Sequence, residues 1–189
     1  MSALLGAEPP LGRDALLDHV RLLIFDADGT LRRTTVSGRP CPHAPDEWEL
    51  LPGVRDTLAT VDWTARGIRL GIASNQDHVG YGLLAGMMAE RLLRDALDAA
   101  TDGRVRDPLI RFCPHRLDVA CACRKPAPGL LLALLHAARV QREETLFVGD
   151  ATVDAEAARR AGVRFHWAHE VFGRPLTPPP SVTGDPRRY

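Results

Sequence analysis

The 189-residue chain has no excess of charge of either sign: 24 Lys and Arg stand against 24 Asp and Glu. That removes the global electrostatic footprint of a nucleic-acid or anionic-membrane binder and leaves room only for a local basic patch. No apolar run approaches the roughly 20 residues that a bilayer-crossing helix needs. Met1 to Pro10 carries neither a basic start nor a long apolar stretch, so no signal peptide is expected and a cytoplasmic location is. No internal repeat is found. The length suits one domain with a substantial core and is short for two. Cysteine is scarce, with four residues, yet Cys113, Cys121 and Cys123 fall close together while Cys41 stands apart. In a reducing compartment, clustered cysteines are more often metal ligands than disulfides.

What is present is an ordinary globular balance, 45% hydrophobic and 25% charged. Residues 1–20 read as an N-terminal arm with a short helix near Asp14 to His19. Residues 21–173 read as the folded domain, and 174–189 as a Pro-rich tail, disordered or pinned to the surface. Within the domain, short apolar runs bounded by polar or Gly residues predict buried strands at Arg21–Phe25, Arg69–Ala73, Leu109–Phe112, Thr145–Val148 and Val163–Trp167. Helical patterns fall at Val54–Arg66, Tyr81–Ala99, Gly129–Ala138 and Val153–Ala161, and residues 29–50 read as a loop or small flap. Buried strands alternating with helices predict an α/β fold: a three-layer, Rossmann-like parallel sheet covered on both faces. Ligands in such folds sit beyond the carboxyl ends of the strands.

Those ends are where the ionisable residues gather. The first strand runs into Asp26-Ala27-Asp28-Gly29-Thr30, the second into Ser74-Asn75-Gln76, and the third into Cys113-Pro114-His115. Arg124-Lys125-Pro126 precedes the helix before the fourth strand, which ends in Gly149-Asp150 with Asp154 four residues on. The order D-x-D-G-T, Ser-Asn, Lys-Pro, G-D-x-x-x-D resembles the haloacid-dehalogenase-like (HAD) phosphohydrolases over about residues 21–168, and four motifs in sequence are far more specific than a lone Asp-Gly turn.

The resemblance implies a magnesium-dependent phosphomonoester hydrolase. Asp26 would be the nucleophile that forms an aspartyl-phosphate. Asp28 would be the general acid and base, with its backbone carbonyl on the metal. Asp26, Asp28 and Asp150 would form the magnesium site, in keeping with that ion's preference for oxygen ligands. Ser74 and Lys125 would hold the phosphoryl oxygens, and Asp154 would orient Lys125 or the metal's waters. Gly29, Thr30, Asn75 and Arg124 are the candidate substrate-binding residues. The plainer readings are a capping role for Asn75 and a surface position for Arg124. An acid at position 28 favours phosphoryl transfer over dehalogenation, because a halide leaves without a proton. No stretch between the motifs is long enough for a large cap domain, so a minimal cap or none is expected.

Cys113, His115, Cys121 and Cys123 form C-x-H-x5-C-x-C, three sulfurs and one imidazole that suit a closed tetrahedral zinc site. The segment runs directly into Arg124-Lys125-Pro126. In this it resembles the zinc loop of the HAD subgroup that contains the D,D-heptose 1,7-bisphosphate and histidinol-phosphate phosphatases, where the zinc is structural. Two positions depart from the heptose pattern: Ala27, where that subgroup carries Arg, and Ala151, where it carries Lys. Cys41-Pro42-His43 repeats the Cys-Pro-His tripeptide without a following C-x-C; Cys41 reads as a free thiol or flap residue, with a role as substitute zinc ligand the less favoured alternative and any metal role of His43 left open.

The expected substrate is a small phosphorylated metabolite: a sugar phosphate, a sugar bisphosphate or a histidinol-phosphate-like compound. A polynucleotide 3′-phosphatase is the alternative, loosely suggested by the segment after Thr30 and predicting salt-sensitive binding. An inactive HAD binding module comes third, since the main catalytic positions are all present. No membrane partner is expected, and the oligomeric state is left open.

Overall fold

The computed structural model describes residues 13–175. In chain order the elements are α1 (Arg13–Leu16), β1 (Leu22–Phe25), β2 (Arg32–Thr34), β3 (Trp48–Leu50), α2 (Val54–Leu58), β4 (Arg69–Asn75), α3 (Asp77–Gly80), α4 (Gly86–Thr101), β5 (Leu109–Cys113), α5 (Gly129–Ala138), β6 (Thr145–Gly149), α6 (Thr152–Ala161), β7 (Arg164–Trp167) and α7 (Ala168–Val171). β1, β4, β5, β6 and β7 form one parallel sheet in the order β5-β4-β1-β6-β7. β2 and β3 pair antiparallel as a separate hairpin.

The central strands are apolar along their length because both faces are covered. Leu23 and Phe25 of β1 face one side, with Leu70 and Ile72 of β4 and Leu146 and Val148 of β6. That layer is closed by Leu16 and Leu17, Val54 and Leu58, and Leu93, Leu97 and Ala100 of α4. Leu22 and Ile24 face the other side with Phe147, under Leu130, Leu131, Leu134 and Leu135 of α5 and Ala157, Ala158 and Ala161 of α6. A one-residue slip of β1 would exchange the two sets, so the register Leu22↔Arg69 and Leu22↔Thr145 fixes where Asp26 emerges.

The strands and their parallel arrangement follow the sequence expectation. Several helix bounds do not. The helix expected over Tyr81–Ala99 begins only at Gly86, because Gly82 takes φ +71° and residues 81–85 turn before the chain becomes helical. The helix expected over Val54–Arg66 ends at Leu58, and Asp62 instead accepts a hydrogen bond from the Ala65 N–H in a turn. Near the start, helix is found at Arg13–Leu16, and His19 lies at φ 58°, outside it. The flap holds a hairpin that its Gly, Pro and Thr content concealed, with Arg33 paired to Glu49 across it. Arg174, assigned by sequence to the tail, is tied down: its N–H donates to the His169 carbonyl at 2.9 Å and its Nη2 to the Thr30 carbonyl at 3.0 Å. The rest of the expected arm (residues 1–12) and tail (residues 176–189) lies outside the described residues. Among the described residues no helix is long and apolar enough to cross a membrane.

Candidate active site

β1 delivers Asp26 at its carboxyl end. The Asp26 N–H donates to the Val148 carbonyl at 2.9 Å, so the sheet ladder runs on through this residue and fixes its backbone. The chain then turns: the N–H groups of Leu31 and Arg32 both reach the Ala27 carbonyl, at 2.9 and 3.0 Å. Gly29 makes this turn at φ +91°, and a β-carbon there would lie 2.3 Å from Oδ2 of Asp150. Only glycine supplies both the backbone conformation and the room for that carboxylate.

The β6 end and the segment before α5 close on the same point. Lys125 is buried, with Nζ 2.5 Å from Oδ1 of Asp26 and 2.7 Å from Oδ1 of Asp154. One oxygen from each of Asp26, Asp150 and Asp154 lies within 4.8 Å of the others. Asp154 also accepts the Ala151 N–H at 3.1 Å, which ties it to the start of α6. Burial pushes the Asp26 carboxyl up. Lys125 pulls it part of the way back, Asp154 and Asp150 push it further, and it ends well above the usual carboxylate range. Burial and the neighbouring Asp154 raise Asp150 as well. Burial alone would lower Lys125, but the carboxylates of Asp26 and Asp154 outweigh it and hold its ammonium above the ordinary lysine range.

Three carboxylates thus crowd around one ammonium. With all of them ionised the cluster carries two surplus negative charges, on two buried carboxylates and the more open Asp150, which is the condition for a divalent cation. Oxygen donors of this kind fit magnesium.

Asp28 faces the same edge but belongs to a different network. Arg32 Nε donates to its Oδ1 at 2.9 Å, and Gln76 Nε2 to its Oδ2 at 2.7 Å. Arg32 is fully buried, and its Nη1 also donates to the Leu92 carbonyl. Gln76 donates to the Ser74 hydroxyl oxygen at 2.9 Å and so links β4 to the pair. Sequence reasoning passed over Arg32 and Gln76. The available signals were the four-residue spacing of Arg32 from Asp28 and the two-residue spacing of Gln76 from Ser74.

The residues expected to touch substrate make contacts within the protein at this same edge. Thr30 is fully buried and donates its hydroxyl to Asp150 at 3.0 Å, so it orients that carboxylate from behind. Gly29 makes room for Asp150. Asn75 clamps the backbone of Lys125: its Oδ1 accepts the Lys125 N–H at 3.0 Å and its Nδ2 donates to the Lys125 carbonyl at 3.1 Å. Arg124 donates through Nη2 to the His115 carbonyl, and its Nη1 lies 3.8 Å from Asp77. Thr30 and Asn75 thus help to hold the site's framework, while Arg124 keeps a buried Nε without a hydrogen-bond partner. Ala27 is fully buried in the core, so the position where the heptose subgroup carries Arg does not line the mouth here.

The cysteine loop gathers on one side of this edge. Cys113 Sγ is 3.5 Å from His115 Nδ1 and 3.6 Å from Cys121 Sγ, while Cys123 Sγ is 3.2 Å from His115 Nδ1 and 3.5 Å from Cys121 Sγ. A tetrahedral zinc with the usual Zn–S and Zn–N lengths places its ligand atoms about 3.3 to 3.8 Å apart, so the donor set fits a closed site. The Arg124 N–H approaches Cys121 Sγ at 3.4 Å and brings that thiol down to about 6. A β-carbon on Gly129 would strike the Ala122 carbonyl at 2.2 Å, so the loop lies directly on the start of α5.

Comparison with known proteins agrees with this geometry. Residues 41–162 match the family model of the haloacid dehalogenase-like hydrolases. The chain belongs to this family. It is 34% identical over 147 residues to the D-glycero-β-D-manno-heptose-1,7-bisphosphate 7-phosphatase of Pseudomonas putida, covering 77% of this chain and 80% of that one. It is 32% identical over 148 residues to the protein of the same name from Bordetella bronchiseptica, covering 76% of this chain and 77% of that one. A crystal structure of the B. bronchiseptica D,D-heptose 1,7-bisphosphate phosphatase, complexed with magnesium and phosphate, superposes with a TM-score of 0.65 at 29% identity, over 77% of this chain and 79% of that one. The protein is therefore an HAD phosphatase, with the parallel sheet and strand-end constellation of that family.

Proposed function

We propose that this HAD phosphatase hydrolyses a phosphomonoester of a small phosphorylated sugar, with a heptose 1,7-bisphosphate as the leading substrate, through a phosphoryl group carried on Asp26. The observation that carries this reading is the cluster of Asp26, Asp150 and Asp154 beside Lys125, in which Asp26, Asp154 and Lys125 are buried and Asp150 stands at the open side. The relatives named as heptose-bisphosphate phosphatases, one of them crystallised with magnesium and phosphate, support the substrate class and the metal.

Magnesium held by Asp26, Asp150 and the backbone carbonyl of Asp28 would neutralise the repulsion between an anionic nucleophile and a phosphate dianion. An Asp26 oxygen forms the new P–O bond as the ester P–O bond breaks. Asp28, a carboxylate while paired with Arg32, first takes up a proton from solvent, gives it to the departing alcohol, and then takes one from the water that attacks the phosphorus. That second step releases phosphate and restores the Asp26 carboxylate. Ser74 and Lys125 hold the phosphoryl oxygens, with Lys125 placed by Asp154 and Asn75. Arg32 and Gln76 keep the Asp28 carboxyl in one orientation through both proton transfers. Zinc held by Cys113, His115, Cys121 and Cys123 would be structural, because four protein ligands leave no open position.

The test is phosphate release in the presence of magnesium from heptose 1,7-bisphosphate, histidinol phosphate, simple sugar phosphates and a 3′-phosphorylated oligonucleotide. Heptose bisphosphate is expected to be the best substrate, with turnover falling to background in Asp26→Asn. Preference for the oligonucleotide, with affinity dropping steeply as salt rises, would move the assignment to nucleic-acid ends. Folded, metal-loaded protein silent on every substrate would favour a binding module.

A further inference from the structure

The long connection between β2 and β3, residues 35–47, carries a second Cys-Pro-His tripeptide, Cys41-Pro42-His43. Unlike Cys113-Pro114-His115, it has no C-x-C after it. The fold supplies another partner from a distant part of the chain. His78, on α3, brings Nδ1 to 3.5 Å from Cys41 Sγ and 2.6 Å from His43 Nε2. One ligand atom from each of the three side chains lies within 4.8 Å of the others. Cys41 and His78 are buried, at 5% and 1% exposure, while His43 forms the half-open side by which an ion would enter.

We propose that Cys41, His43 and His78 form a second transition-metal site, filled by zinc, which staples the β2–β3 loop to α3. One thiol and two imidazoles are the donor types that zinc selects. The His78 ring makes its polar contacts through Nδ1 alone, since its buried Nε2 has no hydrogen-bond partner. Cys41 is no isolated thiol either, because its sulfur faces that same Nδ1. The sulfur-to-nitrogen spacing already matches a tetrahedral edge. The two ring nitrogens would open to about 3.3 Å around an ion, a movement on the half-exposed His43 side. Three protein ligands leave a fourth position for water.

The rest of the loop is arranged to present these ligands. Glu47 accepts the N–H groups of His43 and Ala44 at 2.8 and 3.1 Å and pairs with Arg39, which folds the connection back on itself. On the other side, His78 follows Gln76, which holds Asp28, and Asp77, which faces Arg124 beside the cysteine loop. The staple would therefore fasten the hairpin to the shoulder that carries the acid–base network.

The proposal concerns metal content and stands whether or not the phosphatase substrate is correctly assigned. Full-length protein reconstituted with zinc and gel-filtered is expected to carry about two zinc ions per chain by elemental analysis, and Cys41→Ser and His78→Ala about one each. Cobalt in place of zinc separates the sites: the strong thiolate-to-cobalt absorption of the three-cysteine site should survive Cys41→Ser, and a weaker single-thiolate contribution should vanish. If the variants do not fold, the wild type still decides. Zinc should slow alkylation of Cys41, located by peptide mass spectrometry, at least about tenfold, since a metal-bound thiolate is withdrawn from reaction. A wild-type chain that saturates at about one zinc, or a Cys41 alkylated equally fast with and without zinc, would overturn the site.

Discussion

A guanidinium cannot be neutralised by losing its proton, so a fully buried arginine must be paired. Arg32 divides its donors between the Asp28 carboxylate and the Leu92 carbonyl, and its guanidinium carbon lies 6.0 Å from the Trp48 ring centroid. Replacing it with an apolar side chain leaves a carboxylate and a carbonyl without their donor. Breaking one half of such a buried pair costs about 3 to 5 kcal/mol. Arg32→Leu is therefore expected to lose about that much unfolding free energy in urea titration. Asp28→Asn combined with Arg32→Leu is expected to lose clearly less than the two single variants added together, because each single change strands the other partner. A loss under about 1 kcal/mol for Arg32→Leu would mean the pair contributes little to holding the hairpin down.

At the scale of elements, β4 and its continuation into α3 organise the site. The last two residues of β4 and the one that follows act on three different neighbours: Ser74 receives Gln76, Asn75 clamps Lys125, and Gln76 reaches Asp28. The Asn75 clamp is a two-bond contact to backbone, so its loss shifts the lysine without removing any charge. A displacement on the order of 1 Å costs about 10²-fold in rate. Asn75→Ala is expected to lower kcat by about that factor, while Asn75→Asp, which keeps one oxygen acceptor for the Lys125 N–H, recovers part of it. Unchanged steady-state kinetics in Asn75→Ala would remove the clamp from the mechanism. This shoulder also marks what could be read in advance. The strands were legible because uninterrupted apolar runs such as Leu22–Phe25 have few alternatives once both faces are buried. The positions of Asp26, Lys125, Asp150 and Asp154 at one edge followed from topology. The networks of Arg32, Gln76 and His78 did not, because they depend on where a hairpin of three-residue strands lands, and the pattern of Arg32–Thr34 and Trp48–Leu50 is too short to announce one. The contacts of Asn75 with the Lys125 backbone and of Thr30 with Asp150 were not legible either, since residue type alone does not say which neighbour a polar group meets.

At the scale of the molecule, a chain with no net charge concentrates uncompensated carboxylates at a single sheet edge, and this links its stability to pH and metal together. In the metal-free fold, Asp26 and Asp150 sit above their ordinary value of 3.8, so the folded state retains protons that the unfolded chain has released. Their contribution to stability is fully present below 3.8 and is lost as pH rises through the raised folded values. A divalent cation binds the ionised carboxylates and competes with those same protons, so its stabilising effect must grow across the window in which the apo fold weakens. At a hundredfold excess over its Kd, magnesium contributes about 2.7 kcal/mol, which for a chain of this size raises Tm by about 5 to 10 °C. The expected result, on protein dialysed free of magnesium but not exposed to zinc chelators, is a shift of that size at about pH 7.5 and a much smaller one at about pH 5. Asp150→Asn should abolish the shift at both. Equal shifts at the two pH values would show that magnesium binds away from the raised carboxylates, and the cluster of Asp26, Asp150 and Asp154 would then need a different explanation.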